Sequence, residues 1–493
     1  MIDMKARIGK FAAGLMGLLM ALLFAVPGAF PRAEGSEPVN MSGVCEYSSS
    51  KGTRGLKELL GDRDHSTYTS LASGDRVKVE WGDADVCFVY FEWTDRECVP
   101  PGLYSIELLG SDGETLETRG GERFWNCGVE VGGEVTGIRI IMEGAGQLCT
   151  LIPFAGGMPS DYHPWLPTPE KTDMLVIATH PDDDVLFMGA MVPTYGAERG
   201  LECSILYLTG RNRVRRTEAL NGAWTMGLRT YPFIAGMYDI SNNLQEEMEY
   251  RFTVGDAERT IVRYIRRVRP EVVVTHDTGG EYGHWQHIVT AEAAQLAVID
   301  AADPEYDRES YEQYGAWQVK KLYLHLSRTN PISISAEVPL EAFGGKTAWE
   351  VAAEAFQCHE SQLQHGMTCS NTGVFSLERF GLVFSAVGED TGMNDMFENI
   401  DETELTNYAT PSPTEAPVLS PSPEPTAEPE ETPSPEPTEE PTPTPSPTPS
   451  PTEATQEEGR GVSGPIKTGL LLTLAVLVML LTGFLLYLGK NRK

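Results

Sequence analysis

Met174-Leu175-Val176-Ile177-Ala178-Thr179-His180-Pro181-Asp182-Asp183-Asp184 decides the reading of this 493-residue chain. Five apolar residues in a row predict a strand buried on both faces, and the polar run after them marks its carboxyl end. Three carboxylates beside a histidine repel one another unless a cation compensates for them, so the turn is a candidate metal site. Imidazole with carboxylate suits Zn2+ or a related divalent ion better than Ca2+, which prefers an all-oxygen cage. The alternative is a solvated acidic turn.

Downstream, strands and helices alternate. A helical stretch runs through Arg199, a strand follows at Cys203 to Leu208, and helices are predicted at 213–227, 257–269 and 287–299, with a strand at 271–275 after Pro270. This β-α grammar implies one Rossmann-like α/β/α layer domain with a parallel sheet over residues 170–400. Ligands of such sheets sit beyond the carboxyl ends of the strands. A second polar cluster, Gly280-Glu281-Tyr282-Gly283-His284-Trp285-Gln286-His287, falls at the same edge. Its two histidines, three apart at a helix start, project on one face. Together the clusters offer the three N/O ligands and the open position of a catalytic zinc.

Upstream, from about Asn40 to Gly157, short strands are broken by Gly and Asp. Arg76 to Trp81 alternates at period two, Val86 to Trp93 is continuously apolar and aromatic apart from Glu92, and Tyr104 to Leu108 alternates again. A β-sandwich of jelly-roll type over 36–165 follows. The phrase Leu60-Gly61-Asp62-Arg63-Asp64-His65-Ser66-Thr67-Tyr68-Thr69 resembles the opening of discoidin-like, galactose-binding-like modules, which implies carbohydrate binding. A spacer without a ligand is the alternative.

The two ends point to export. Lys5, Arg7 and Lys10 precede an apolar run from Phe11 to Val26, read as a signal peptide over 1–34. Gly469 to Leu488 carries no charge and is long enough to span a bilayer, giving a membrane helix over 467–489. Lys490, Arg492 and Lys493 put the tail in the cytoplasm and the folded domains outside. Residues 409–463, rich in Pro, Thr, Ser and Glu, cannot bury enough apolar surface to fold and read as a disordered, extended spacer. The net charge of -33 excludes nucleic acid as a partner on electrostatic grounds. Eight cysteines without a CxxC pair exclude a cysteine zinc site, and an oxidising compartment predicts pairing, with Cys358 to Cys369 as the local candidate.

From Met174 to Gly373 the chain resembles the PIG-L/LmbE-like deacetylases. Thr179 to Asp184 matches their Ala-His-Pro-Asp-Asp-Glu hallmark, and His284 with His287 matches a later His-x-x-His. Arg215-x-x-Glu218, with Gly222 and Met226-Gly227 in step, is similar to the family's Arg-x-x-Glu helix, and His359-Glu360-Ser361-Gln362 to its His-x-Ser-Gln. The resemblance implies that His180, Asp183 and His287 hold Zn2+, that Asp182 is the general base and that a protonated His284 faces the oxyanion. It also implies that Asp184, Arg215 and Tyr282 meet an amino-sugar glycan or glycoconjugate. Asp184 replaces the usual Glu. Gln286 replaces the usual Asp between the histidines, which removes a carboxylate that would raise the pKa of His284 and predicts an acid-shifted pH optimum. The function expected is removal of N-acetyl groups outside the cell. A broader zinc amidase and a non-catalytic surface glycan-binding protein are the alternatives.

Overall fold

The computed structural model describes residues 38–64, 66–94, 98–240 and 250–406. The expected signal peptide, spacer and membrane helix lie outside them. Among the described residues no helix is long and apolar enough to cross a membrane.

The first region is a sandwich of two antiparallel sheets. One holds β1 (Val39–Asn40), β3 (Thr69–Leu71), β5 (Phe88–Trp93), β8 (Asn126–Glu130) and β10 (Gly146–Ala155). The other orders β2 (Glu46–Ser49), β4 (Arg76–Glu80), β9 (Gly137–Met142), β6 (Tyr104–Leu109) and β7 (Thr115–Gly120). In β4, Val77 and Val79 point inward while their neighbours are more exposed, the signature of a sheet wet on one side. β5 is buried along its whole length. Val89, Phe91 and Trp93 join the main core, whereas Phe88 and Tyr90 are covered from outside by Tyr162.

The second region is a seven-stranded sheet in the order β13 (Phe233–Ile234), β12 (Cys203–Tyr207), β11 (Met174–Ala178), β14 (Val272–Thr275), β15 (Lys321–His325), β17 (Arg379–Ser385), β16 (Pro331–Ser333). Leu175 and Ile177 of β11 face the helices Val254–Val268 and Trp285–Asp300. Met174, Val176 and Ala178 face the layer that contains Arg213–Thr225 and Ala348–Gln357. Each such side chain, fully buried, contributes about 1.5 to 3 kcal/mol. The chain winds outward from β11 through β12 to β13, then returns to place β14 on the other side of β11. The crevice between the carboxyl ends of β11 and β14 is therefore the point where the winding reverses.

Three expectations need correction. The sheet is not wholly parallel: β17 runs antiparallel to β15, and β16 antiparallel to β17. A parallel neighbour requires a crossover back to the amino edge, but Phe380 pairs with His325, so the chain re-enters from the carboxyl edge it had left. The helical stretch toward Arg199 is interrupted. It comprises one turn at Asp183–Leu186 and a π-helical segment at Val192–Glu198 that starts beside Pro193. Cys358 and Cys369 form no disulfide. Cys358 Sγ lies 3.6 Å from Thr225 Oγ1, while Cys369 Sγ packs against the carbonyls of Val185 and Ala352.

The two regions meet along an aromatic seam. Phe124 stacks on Tyr231 with ring centroids 4.1 Å apart, and Trp125 lies under the Arg216 guanidinium at 4.0 Å. Arg216 belongs to the Arg213–Thr225 helix, so the sandwich braces the element that carries Arg215.

Candidate metal centre

The loop after β11 turns sharply. Asp182 has φ +153°, and Asp183 begins a single helical turn. Asp183 Oδ2 accepts from the backbone N–H of its own loop at His180, at 2.6 Å, which folds the carboxylate back beneath the histidine ring. From the other side of the crevice, Gly280 (φ +67°) and Gly283 (φ +86°) let the Gly-Glu-Tyr-Gly turn close ahead of the Trp285–Asp300 helix. His287 is then carried in on the first turn of that helix.

His180 Nδ1, Asp183 Oδ2 and His287 Nε2 converge. Their mutual separations are 3.0 Å (His180 to Asp183), 3.1 Å (His180 to His287) and 3.3 Å (His287 to Asp183). Ligands of a tetrahedral zinc at about 2.0 to 2.1 Å stand about 3.3 Å apart, so this donor set fits a divalent cation. The other nitrogens are committed elsewhere. His180 Nε2 lies 3.2 Å from Gln286 Oε1, and His287 Nδ1 lies 2.7 Å from Glu281 Oε2. With those contacts made, His180 Nδ1 and His287 Nε2 are the nitrogens left to face a cation.

The cavity over these groups measures about 460 Å3 and is lined among others by Asp182, Arg215, Asp239, Tyr282 and His284. Asp182 is held by Arg215, whose Nη2 lies 2.5 Å from Oδ1. Burial first, then the neighbouring Asp183, push its pKa up to about 7, against the opposing pull of Arg215 and His180. Asp183 is held well below the usual carboxylate range; burial works the other way, but His287, His180 and His276 outweigh it. Tyr282 is half-exposed at the rim.

Two expected site residues differ from the sequence reading. Asp184 does not line the cavity. It is buried, accepts from the Tyr207 hydroxyl at 2.7 Å, and its pKa is pushed up to about 8 by burial. It follows the first residue of a one-turn helix, so its side chain leaves the site that Asp183 enters. His284 is not an imidazolium: burial, then His180 and His287 beside it, push its pKa down to about 3. Gln286 does not govern that ring. Its amide is committed to His180, to the Ile240 N–H and to the Tyr238 carbonyl, so the predicted acid shift through His284 has no contact to act through.

The Arg-x-x-Glu and His-x-Ser-Gln segments dock on each other. Glu218 accepts from Ser361 N–H at 2.8 Å and Ser361 Oγ at 2.7 Å. His359 is buried against the same helix, where a Cβ at Gly222 would come within 2.7 Å of Nε2.

Sequence reasoning missed three residues, Asp239, His276 and His325, and gave Glu281 of the second cluster no role. Asp239 bridges to Arg215 Nη1 at 3.2 Å and approaches His180 Nε2 at 3.7 Å. His276, Glu281 and His325 form a buried group behind His287. A signal existed for two of them: His276 directly follows β14 and His325 ends β15, both at the edge where the ligands lie.

Residues 175–298 match the family model described as PIG-L: GlcNAc-PI de-N-acetylase. A 1D-myo-inositol 2-acetamido-2-deoxy-alpha-D-glucopyranoside deacetylase of Frankia casuarinae is 28% identical over 179 residues, which cover 30% of this chain and 57% of that protein. This chain thus spans just over half the length of that relative. Among solved structures, N,N'-diacetylchitobiose deacetylase from Pyrococcus horikoshii aligns with a TM-score of 0.31 and 18% identity over 39% of this chain and 70% of its own. The family 32 CBM from C. perfringens NanJ, solved in complex with galactose, aligns with a TM-score of 0.20 and 14% identity over 24% of this chain and 98% of its own.

Proposed function

We propose, from the premise that residues 175–298 are a PIG-L family domain, that this chain is a zinc hydrolase removing N-acetyl groups from amino-sugar glycans or glycoconjugates. The observation that carries the reading is the convergence of His180 Nδ1, Asp183 Oδ2 and His287 Nε2 beside an Arg-held carboxylate in an open cavity. A site meant only to stabilise the fold has no use for Asp182.

A divalent cation on the three donors would polarise the acetamide carbonyl and acidify the attacking water, from a pKa of 15.7 to about 7. Asp182, oriented by Arg215, takes the proton of that water as the new C–O bond forms. It returns the proton to the sugar nitrogen as the C–N bond breaks, leaving acetate and a free amine. His284, neutral and at the cavity wall, presents an imidazole N–H to the oxygen on which negative charge develops, a contribution worth about 3 to 4 kcal/mol per donor in other enzymes. Tyr282, at the rim, is the residue we assign to the sugar.

The reaction is further proposed to take place outside the cell, on a membrane-anchored protein. The support is compositional: the charged-then-apolar start, the Pro-rich spacer and the uncharged 20-residue stretch from Gly469 to Leu488. The sandwich is proposed to retain glycan near the site.

The test is acetate release by the purified full chain over N-acetylglucosamine oligosaccharides and cell-wall fragments, with metal analysis in parallel. Chelation should abolish turnover and Zn2+ restore it. Asp182→Asn should keep the metal and lose about 10²- to 10⁴-fold in rate. Undiminished turnover by that variant, or no acetate from any amino sugar, would refute the proposal.

A further inference from the structure

Behind the cation ligands, Glu281 sits with its side chain fully enclosed and receives four donors. Oε1 accepts from the Asp277 N–H at 3.0 Å and faces His325 Nδ1 at 3.2 Å. Oε2 faces His276 Nδ1 at 3.2 Å and His287 Nδ1 at 2.7 Å. We infer that Glu281 is the positioning residue of this centre: it fixes the tautomer and ring orientation of His287. The inference rests on the reading of His180, Asp183 and His287 as ligands.

The protons can be placed from the partners alone. His287 gives its Nδ1 proton to Glu281, so its lone pair is on Nε2, the atom that faces His180 and Asp183. His276 also lies near Asp183, its Nε2 3.4 Å from Oδ2. Yet that nitrogen accepts the Thr179 N–H at 3.0 Å, so it has no lone pair left for a cation, and its proton must be on Nδ1, toward Glu281. What His276 does is stack on His287, centroids 4.0 Å apart and planes 22° from parallel. His325 is different again. Its Nε2 faces the Ser376 carbonyl at 3.0 Å and its Nδ1 faces Glu281, so the ring ties the carboxylate to the end of β15. Glu281 is thus anchored by Asp277, His276 and His325 as well as by His287, so its place behind that ligand does not depend on the cation.

The backbone supports a built device. Glu281 has φ +54° and ψ -81°, a strained conformation for a non-glycine residue that persists only where its surroundings impose it. Here it turns residue 281 inward while leaving the adjacent Tyr282 at the cavity rim. A carboxylate behind a metal-bound histidine raises the ligand's basicity and locks its ring, and losing one typically lowers metal affinity 10- to 100-fold.

The test measures Zn2+ affinity of the full chain by competition with a chromophoric chelator, and the visible spectrum of the Co2+-substituted protein. Glu281→Gln keeps the size but turns an NH2 toward one pair of donors, so affinity should fall about 10- to 100-fold and the Co2+ absorption should change. Glu281→Gln also leaves the buried His325 Nδ1 facing an altered partner, which costs stability, so the double variant, Glu281→Gln with His325→Gln, runs beside it and should show the same loss. Native affinity and an unchanged Co2+ spectrum in either folded variant would overturn the inference. Selective 15N-histidine NMR on the metal-free native protein needs no variant. It should find His287 as the Nδ1–H tautomer, and an Nε2–H His287 would equally overturn it. If the native chain binds no Zn2+ at all, the ligand reading fails instead.

Discussion

Arg215 reaches from the Arg213–Thr225 helix to the loop after β11, where one nitrogen, Nη2, lies 2.5 Å from Asp182 Oδ1 and 3.1 Å from the Pro181 carbonyl. The guanidinium thus orients the carboxylate and, with His180, limits how far burial raises its pKa. Arg215→Gln removes that positive charge, so Asp182 stays protonated to higher pH. The acid limb of the kcat/KM profile should move up by about 1 to 3 pH units. A limb that stays in place would mean that Arg215 does not act through Asp182.

Asp184 tests the inward-facing side of the same turn. Because it is absent from the cavity wall, Asp184→Asn should leave KM unchanged. Asn can still accept from Tyr207. The folded-state pKa of this acid is raised, to about 8, so the group costs stability as pH rises from the ordinary carboxylate range through 8. Denaturation of the metal-free protein should find the two forms alike near pH 4 and the Asn variant more stable, by about 1 to 3 kcal/mol, near pH 9. A tenfold rise in KM would return Asp184 to the substrate.

The seam can be tested by truncation. Trp125 is buried, and its ring supports the buried Arg216 guanidinium. Trp125→Ala leaves a cavity and an uncovered charge, with an expected loss of about 3 to 5 kcal/mol. Urea denaturation measures it; a loss below about 1 kcal/mol would mean that the sandwich and sheet barely depend on each other.

Glu202 provides a pH test far from the chemistry. Burial raises its pKa to about 7, opposed by the Thr230 hydroxyl and aided by Asp173. Its stabilising protonated form is complete below about pH 4.3, the unfolded value, and lost as pH rises through 7. Glu202→Gln should match the native protein at pH 4 and exceed it by about 1 to 3 kcal/mol at pH 8, by chemical denaturation. Equal stability at both pH values would contradict it.

Much of the architecture was legible because it is written in local periods. Met174 to Ala178 reads as a fully buried strand, and the alternation of Arg76 to Glu80 reappears as a half-wet one. The direction of β17 was not legible, since an apolar run such as Phe380 to Phe384 is the same whichever way the chain enters it. The cysteine pairing failed for a related reason: closeness in sequence said nothing about the separate neighbours that Cys358 and Cys369 find.

By itself the sequence determined the layered α/β region, the sandwich ahead of it and the two polar clusters at one sheet edge, because strand and helix patterning needs only neighbouring residues. Tertiary structure alone decided which polar groups face one another: Asp183 toward the centre and Asp184 away, Gln286 toward His180, and His276, Glu281 and His325 behind His287. It also decided protonation. Burial pushes Asp182 up, and burial with the distant His180 beside it pushes His284 down; neither exists until the sheet has brought β11 and β14 side by side.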